Sequence, residues 1–242
     1  MPSSHVIFPK GGFDMFSVLI LAAGSSARMG GGNKQTLLLE GESVLHRSVR
    51  AFAGLSEAAE VLVVCRKQDL SNFSALLADL LSDRVRLIPA GGATRQQSVE
   101  KALAYLSKET THIAIHDGAR PLVRREDIRK TFVIAEEKGS AFLGVFARDT
   151  IKVIEDGQVA ATPDRRTLFL AQTPQAFCKA EYFAAMADAK EQGLDFTDDA
   201  QLFEMTGRPV YIVEGHSDNL KITVPEDLPL AEGCLRAMKK GH

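Results

Sequence analysis

The chain has 242 residues, 45% hydrophobic and 25% charged, enough for one large α/β domain with a substantial core. A formal net charge of -2 excludes a global basic field that would draw it to nucleic acid or membrane surfaces, and no apolar stretch reaches the roughly 20 residues needed to span a bilayer. Cys65, Cys178 and Cys234 lie far apart without paired metal-ligand spacing, a usage that suits a reducing cytosol.

Residues 1–15 contain Pro9, Gly11 and Gly12, lack the uninterrupted apolar core of a signal peptide, and read as a flexible leader before one domain over 16–242. Phe16 to Leu21 is an apolar run of strand length, of the kind buried on both faces of a parallel sheet. Ser43 to Phe52 reads as a helix and Val61 to Val64 as a second strand. Cys65, closing that run, reads as a small core residue. Leu70 to Leu81 is expected helical, Val85 to Pro89 a third strand, and Thr94 to Leu106 a helix with Thr94 as its N-cap. His112 to Ile115, the helix Arg125 to Glu137 and the strand Ala141 to Phe146 continue the alternation. Such β-α order predicts a Rossmann-like, mostly parallel sheet with helices on both faces.

The alternation breaks at residue 150. Ile151 to Ile154, Asp156-Gly157 and Gln158 to Ala160 read as a β-hairpin with an Asp-Gly turn, projecting as an arm over approximately 148–170. The chain then returns through Thr167 to Gln172. Helices are expected around Glu181 to Lys190 and Thr197 to Met205, a strand at Val210 to Val213, and a closing helix from Pro225 to Lys239.

The first strand runs directly into Ala22-Ala23-Gly24-Ser25-Ser26-Ala27-Arg28-Met29-Gly30-Gly31-Gly32-Asn33-Lys34. Small residues let the backbone approach a ligand, successive N–H groups can cradle phosphate oxygens, and Arg28 and Lys34 add positive charge there. Neither a dinucleotide fingerprint nor a Walker A sequence is present. A flexible surface loop would read the same way, but the position at the carboxyl end of a strand favours ligand binding. Gly91-Gly92-Ala93-Thr94-Arg95 with Ser98 follows the third strand and opens a helix; alone it is an ordinary capped turn. His116-Asp117-Gly118-Ala119-Arg120-Pro121 ends the fourth strand. Asp117 is placed to help hold Mg²⁺ between phosphate oxygens, while His116 reads as a hydrogen-bonded buried imidazole.

Taken in order, A-A-G-S-S-A-R-M, G-G-A-T-R-Q-Q-S-V, H-D-G-A-R-P, R-D-T, T-P-Q, T-D-D-A and D-N-L-K-I-T-x-P-E-D-L resemble the 2-C-methyl-D-erythritol 4-phosphate cytidylyltransferase family over roughly residues 16 to 238. The resemblance implies Mg²⁺-dependent transfer of CMP from CTP to that polyol phosphate in non-mevalonate isoprenoid synthesis, in a homodimer built by the arm; the cysteine usage adds the expectation of a cytoplasmic protein. It implies that Ala22, Ala23, Gly24, Gly92 and Ser98 contact the cytidine part and Gly118 the ribose. Arg28, Lys34 and Lys221 would neutralise phosphate charge, and Asp117 and Asp218 would hold the metal. Thr150, Arg165 and Thr173 match substrate-phosphate contacts on or near the arm, and Arg120 and Thr197 further substrate positions.

Two departures stand out. Ser26 occupies the usual second glycine of the first loop, and Ala93 replaces the acidic residue that often follows the two glycines. The nearest rival is a ribitol 5-phosphate cytidylyltransferase. A nucleotide-binding regulatory protein without turnover would be marked by loss of Arg28, Lys34 or Asp117, and all three are present. The attacking phosphate is already anionic, so the expected catalysis is positioning and charge neutralisation rather than general-base chemistry.

Overall fold

The computed structural model describes residues 15–24 and 33–240; the expected leader, apart from Met15, and Ser26 and Arg28 lie outside the described residues. Strand β1 is Phe16–Leu21. A small antiparallel pair follows, β2 (Leu38–Leu39) and β3 (Glu42–Ser43). Helix α1, Val44–Ala53, is capped by Ser43, whose hydroxyl accepts the His46 N–H at 3.1 Å. Next come β4 (Ala58–Val64), α2 (Leu70–Leu76), β5 (Val85–Ile88) and α3 (Arg95–Ala102). They are followed by β6 (His112–Asp117), α4 (Arg125–Lys138) and β7 (Ser140–Phe146). Two expected helices are shorter than their apolar patterns: α2 stops at Leu76, and α3 gives way to a 3₁₀ turn over Leu103–Tyr105. Thr94 caps α3 as expected, accepting the Gln97 N–H at 3.1 Å.

The arm is β8 (Val153–Glu155) and β9 (Gln158–Ala161), a separate two-stranded sheet in which every strand residue is exposed. Asp156 and Gly157 both have positive φ (49° and 78°), the conformation that an Asp-Gly hairpin turn supplies. The chain closes with β10 (Phe169–Cys178), α5 (Lys179–Gln192), α6 (Asp199–Met205), β11 (Tyr211–Glu214) and α7 (Asp227–Lys240).

The seven-stranded sheet has the order β11-β7-β10-β6-β1-β4-β5. Its pairs are parallel except those of β10, which runs antiparallel to both β6 and β7. The segment expected only as a return through Thr167 to Gln172 is therefore an interior strand ten residues long. Pro174 and the flanking glutamines hide it, because proline cannot donate to a ladder and argues against a central strand. The fold accommodates it with a register shift between Ala171 and Gln175, so Pro174 falls outside the recorded ladder pairs.

Side-chain alternation along the parallel strands builds a core on each face. Val18, Ile20, Val61 and Val63 pack with Leu45, Val49 and Phe52 of α1, Phe73 of α2 and Ile128 and Phe132 of α4. Leu19, Leu62, Val64, Ile113 and Ile115 face the other way, onto Val99 of α3, Tyr182 of α5 and Leu202 and Phe203 of α6. Each such fully buried aliphatic side chain contributes about 1.5–3 kcal/mol, which explains unbroken apolar runs in strands covered on both sides. A smaller cluster joins α7 to the β2–β3 pair through Leu39, Ala231 and Leu235.

Where β7 meets β10, Gly144 packs against Phe169 and Leu170. A Cβ at that position would lie 2.6 Å from the Leu170 carbonyl oxygen and closer still to the Phe169 ring. Gly144→Ala is expected to destabilise the protein by about 1–3 kcal/mol through overpacking. Urea unfolding should show a lower midpoint at an unchanged slope; an unchanged midpoint would contradict this packing of β10.

Candidate active site

From β1 the chain winds to β4 and β5 on one side, then returns to place β6 on the other side of β1. Such a reversal leaves a crevice at the carboxyl ends of the strands, where ligands bind in open α/β sheets. A cavity of about 490 Å³ lies there, lined by Leu21, Ala23 and Gly24 after β1, Arg66 after β4, Gly92 to Arg95 with Ser98 after β5, and Asp117 and Ala119 after β6. Lys34, Gln35 and Lys221 complete the wall. Lys34 opens a 3₁₀ turn, Lys34–Thr36, fixed by Asn33, whose side chain accepts the Gln35 N–H at 3.1 Å.

The loop after β5 is tightly determined. Ser98 Oγ accepts the Gly92 N–H and donates to the Thr94 carbonyl, each at 2.9 Å. A Cβ on Gly92 would fall 2.5 Å from Gln97 Cβ and 2.9 Å from the Ser98 nitrogen, so only glycine fits. The side chain that could contact a base is thus also the one that shapes the loop.

Asp117, at the end of β6, has the densest electrostatics of the site. Its Oδ2 is 2.8 Å from Lys221 Nζ and 3.7 Å from Arg120 Nε, and its Oδ1 is 3.6 Å from Arg95 Nε. Burial by itself would raise the pKa of this carboxyl; Lys221, Arg95 and Arg120 override it and hold the group well below the usual carboxylate range. Three cations face Asp117 and, on the far side of Arg95, Asp199, leaving positive charge available to a polyanion.

A second layer fixes that turn. His116 Nε2 lies 3.2 Å from the Arg120 carbonyl, which can only accept, so Nε2 carries the proton and Nδ1 is the acceptor. Thr173 Oγ1 therefore donates to Nδ1 at 3.0 Å and accepts the Asp117 N–H at 3.0 Å. Burial lowers the His116 pKa to about 4, so the imidazole is neutral at physiological pH, as the structural reading of this residue expected. Asn219 donates to the Gln172 side chain at 2.9 Å and the Thr173 carbonyl at 3.1 Å, while its own carbonyl accepts from Arg120 Nη1 at 2.8 Å.

A second cavity, also about 490 Å³, adjoins the first through Lys221 and is lined by Arg120, Arg148, Asp149, Ile151, Leu170 and Asn219 among others. Of the expected site residues, Ala23, Gly24, Lys34, Gly92, Ser98, Asp117 and Lys221 meet at the first cavity, and Arg120 with Lys221 at the second. The other described ones lie on neither wall. Ala22 is fully buried, with its N–H donated to the Val64 carbonyl. Gly118 sits behind the wall, donating to the Leu21 carbonyl and accepting from Ser48 Oγ, each at 2.9 Å. Thr150 and Thr197 are exposed, and Thr197 bonds the Gln201 side chain. Arg165, also exposed, donates to the Arg148 carbonyl at 2.9 Å, and Asp218 pairs with Arg124 at 2.5 Å. Thr173, expected at the substrate phosphate, is buried behind Asp117, because its hydroxyl is needed between two groups that would otherwise lack partners.

Sequence reasoning missed Gln35, Arg66 and the full part of Arg95. Arg95 could have been found as the cation that follows the Gly91-Gly92 turn; Gln35 and Arg66 stand in segments without any distinguishing pattern.

A family model described as IspD, 2-C-methyl-D-erythritol 4-phosphate cytidylyltransferase, matches residues 16–237. A relative of that name from Bacillus cytotoxicus is 39% identical over 228 residues, covering 93% of this chain and 100% of its own. Another, from Geobacter metallireducens, is 42% identical over 230 residues, covering 90% and 96%. The crystal structure of a 4-diphosphocytidyl-2C-methyl-D-erythritol synthase from Anaerococcus prevotii is similar with a TM-score of 0.83 at 30% identity, covering 92% of this chain and 96% of that one. A 2-C-methyl-D-erythritol 4-phosphate cytidylyltransferase from Thermus thermophilus gives 0.74 at 34%, covering 92% and 99%.

The burial of Thr173 leads to a stability test. Thr173→Val keeps the shape but leaves the Asp117 N–H and His116 Nδ1 without a partner, at an expected cost of about 1–3 kcal/mol. A drop in the urea midpoint of the ligand-free protein checks it. A midpoint equal to wild type would return Thr173 to a purely substrate-facing role.

Proposed function

The chain belongs to the 2-C-methyl-D-erythritol 4-phosphate cytidylyltransferase family, and on that basis we propose that it transfers CMP from CTP to 2-C-methyl-D-erythritol 4-phosphate, releasing pyrophosphate, as a nucleotidyltransferase of non-mevalonate isoprenoid synthesis. The observation that carries the reading is the cation-rich cavity beside Asp117, flanked by the loops of Gly24 and Gly92 and joined through Lys221 to a second cavity. The first accommodates a nucleotide and the second a phosphorylated polyol, with Lys221 between them.

The chemistry follows from charge. An oxygen of the polyol phosphate attacks the α-phosphorus in line, a P–O bond forms, and the bond to the pyrophosphate breaks with its electrons. Nucleophile and electrophile are both anions, so the protein's task is to hold them together and offset their repulsion. Lys34 and Lys221, with Arg28, neutralise the phosphates. Ala23, Gly24, Gly92 and Ser98 form the wall against the nucleoside, backed by Ala22 and Gly118, and Arg120 serves the polyol side from the second cavity's wall, with Thr197 outside both walls.

The donor set suits Mg²⁺. Asp117 offers a hard carboxylate at the cavity wall, while Asp218 lies off both walls, paired with Arg124 through Oδ2, with its Oδ1 buried and without a hydrogen-bond partner. When bound there, the ion would screen phosphate charge and polarise the α-phosphorus.

Pyrophosphate release with Mg²⁺ should be much faster with CTP than with ATP or GTP, and faster with methylerythritol phosphate than with ribitol 5-phosphate. Lys34→Ala should lower kcat about 10²- to 10³-fold, as for loss of one preorganised transition-state contact. Preference for ribitol phosphate would move the chain to the rival specificity, and no turnover with either would leave a regulatory nucleotide binder.

The arm supports a twofold dimer. Val153, Ile154 and Val159 are 40%, 56% and 59% exposed on a hairpin that is marginal by itself, and a second copy is the commonest cover. Thr150, between Asp149 and Ile151, and Arg165, bonded to the Arg148 carbonyl, border the second cavity without lining it, and would then serve the partner's substrate phosphate. Lys34→Ala and Arg165→Ala proteins, each inactive alone, should recover about a quarter of wild-type activity when unfolded and refolded together, since half the dimers are mixed and each has one intact site. No recovery, with mixed dimers confirmed by mass, would place Arg165 in its own subunit's site.

A further inference from the structure

Asp199, the first residue of α6, is a carboxylate with no exposed side-chain surface, set beside the apolar cluster of Leu202 and Phe203. Its Oδ2 is 2.7 Å from Arg95 Nη2, and its Oδ1 accepts the Tyr182 hydroxyl at 2.6 Å. Tyr182 is itself fully buried on α5 among Phe177 and Phe203. Burial, with Asp199 beside it, pushes the Tyr182 phenol far up, so it remains a hydrogen donor at any physiological pH.

A buried ion pair is a poor device for stability alone, since apolar side chains of the same volume do at least as well. What distinguishes this pair is its other end. Arg95 reaches from the start of α3 to the wall of the first cavity, with a quarter of its side chain exposed (25%) and its Nε facing Asp117 at 3.6 Å. Asp199 holds it from α6 and Asp117 from β6, so the guanidinium is immobilised across the wall before any ligand arrives. An arginine ordered in advance binds an anion without losing rotamer freedom at that moment.

We propose that Arg95 binds the phosphates of the nucleotide and that Asp199 and Tyr182 are positioning residues acting through it. This rests on the cytidylyltransferase reading of the cavity. The three residues come from α3, α5 and α6, so the relay ties the cavity to the helical layer behind it.

A double-mutant cycle on CTP affinity, measured by calorimetry with Mg²⁺, tests the relay. Arg95→Ala should weaken CTP binding about 10-fold or more, Asp199→Asn about 5- to 10-fold and Tyr182→Phe about 2- to 4-fold. Once Arg95 is alanine, adding Asp199→Asn or Tyr182→Phe should weaken binding no further, because coupled residues are not additive. In turnover, the KM for CTP should rise more than kcat falls in the Asp199 and Tyr182 variants. Tyr182→Phe removes one hydroxyl and keeps the ring, so its cycle with Arg95 decides the matter should Asp199→Asn fail to fold. Additive losses, or unchanged CTP affinity in the single Asp199 and Tyr182 variants that fold, would overturn the relay. Failure of the wild-type protein to bind CTP would instead sink the nucleotide reading itself.

Discussion

One buried carboxylate organises this molecule. Asp117 ends β6 against Lys221, Arg95 and Arg120, which come from the segment after β11, from α3 and from the turn after β6. An ion in low dielectric must be compensated closely, or it takes up a proton. Here compensation comes from segments far apart in the chain, so each must be in register before the charge is accommodated. The neutral His116, Thr173 and Asn219 then fix the turn by hydrogen bonds that leave no choice of tautomer.

The arrangement also suits the site to polyanions. Its cations are satisfied by carboxylates that they outnumber: Lys221, Arg95 and Arg120 around Asp117, with Asp199 taking the far side of Arg95. The surplus faces a cleft between β1 and β6, where the reversal of strand order leaves space for a ligand. The ion pairs and hydrogen bonds behind the cleft keep these mutually repelling cations from moving apart.

Placing β10 between β6 and β7 has a second consequence. This strand carries the chain from the exposed arm back to the centre of the sheet and brings Gln172, Thr173 and Gln175 behind the site. The arm leads into this strand at Phe169, and the site lies against its middle, at Gln172 to Gln175.

Local signals along the chain were enough for the α/β order, the Asp-Gly arm, the Thr94 cap and the two glycine-bearing turns, because each depends on periodicity or on the steric needs of a few adjacent residues. Motifs in order also marked Lys34, Asp117 and Lys221, and these three do line one cavity. It took the assembled sheet to make the stretch around Pro174 an interior antiparallel strand, since partners on both sides outweigh a local preference against it. Packing likewise turned Thr173 inward, paired Asp218 with Arg124 and brought Gln35 and Arg66 to the wall. Those outcomes depend on which distant groups need a hydrogen bond or a countercharge, and no spacing along the chain encodes that need.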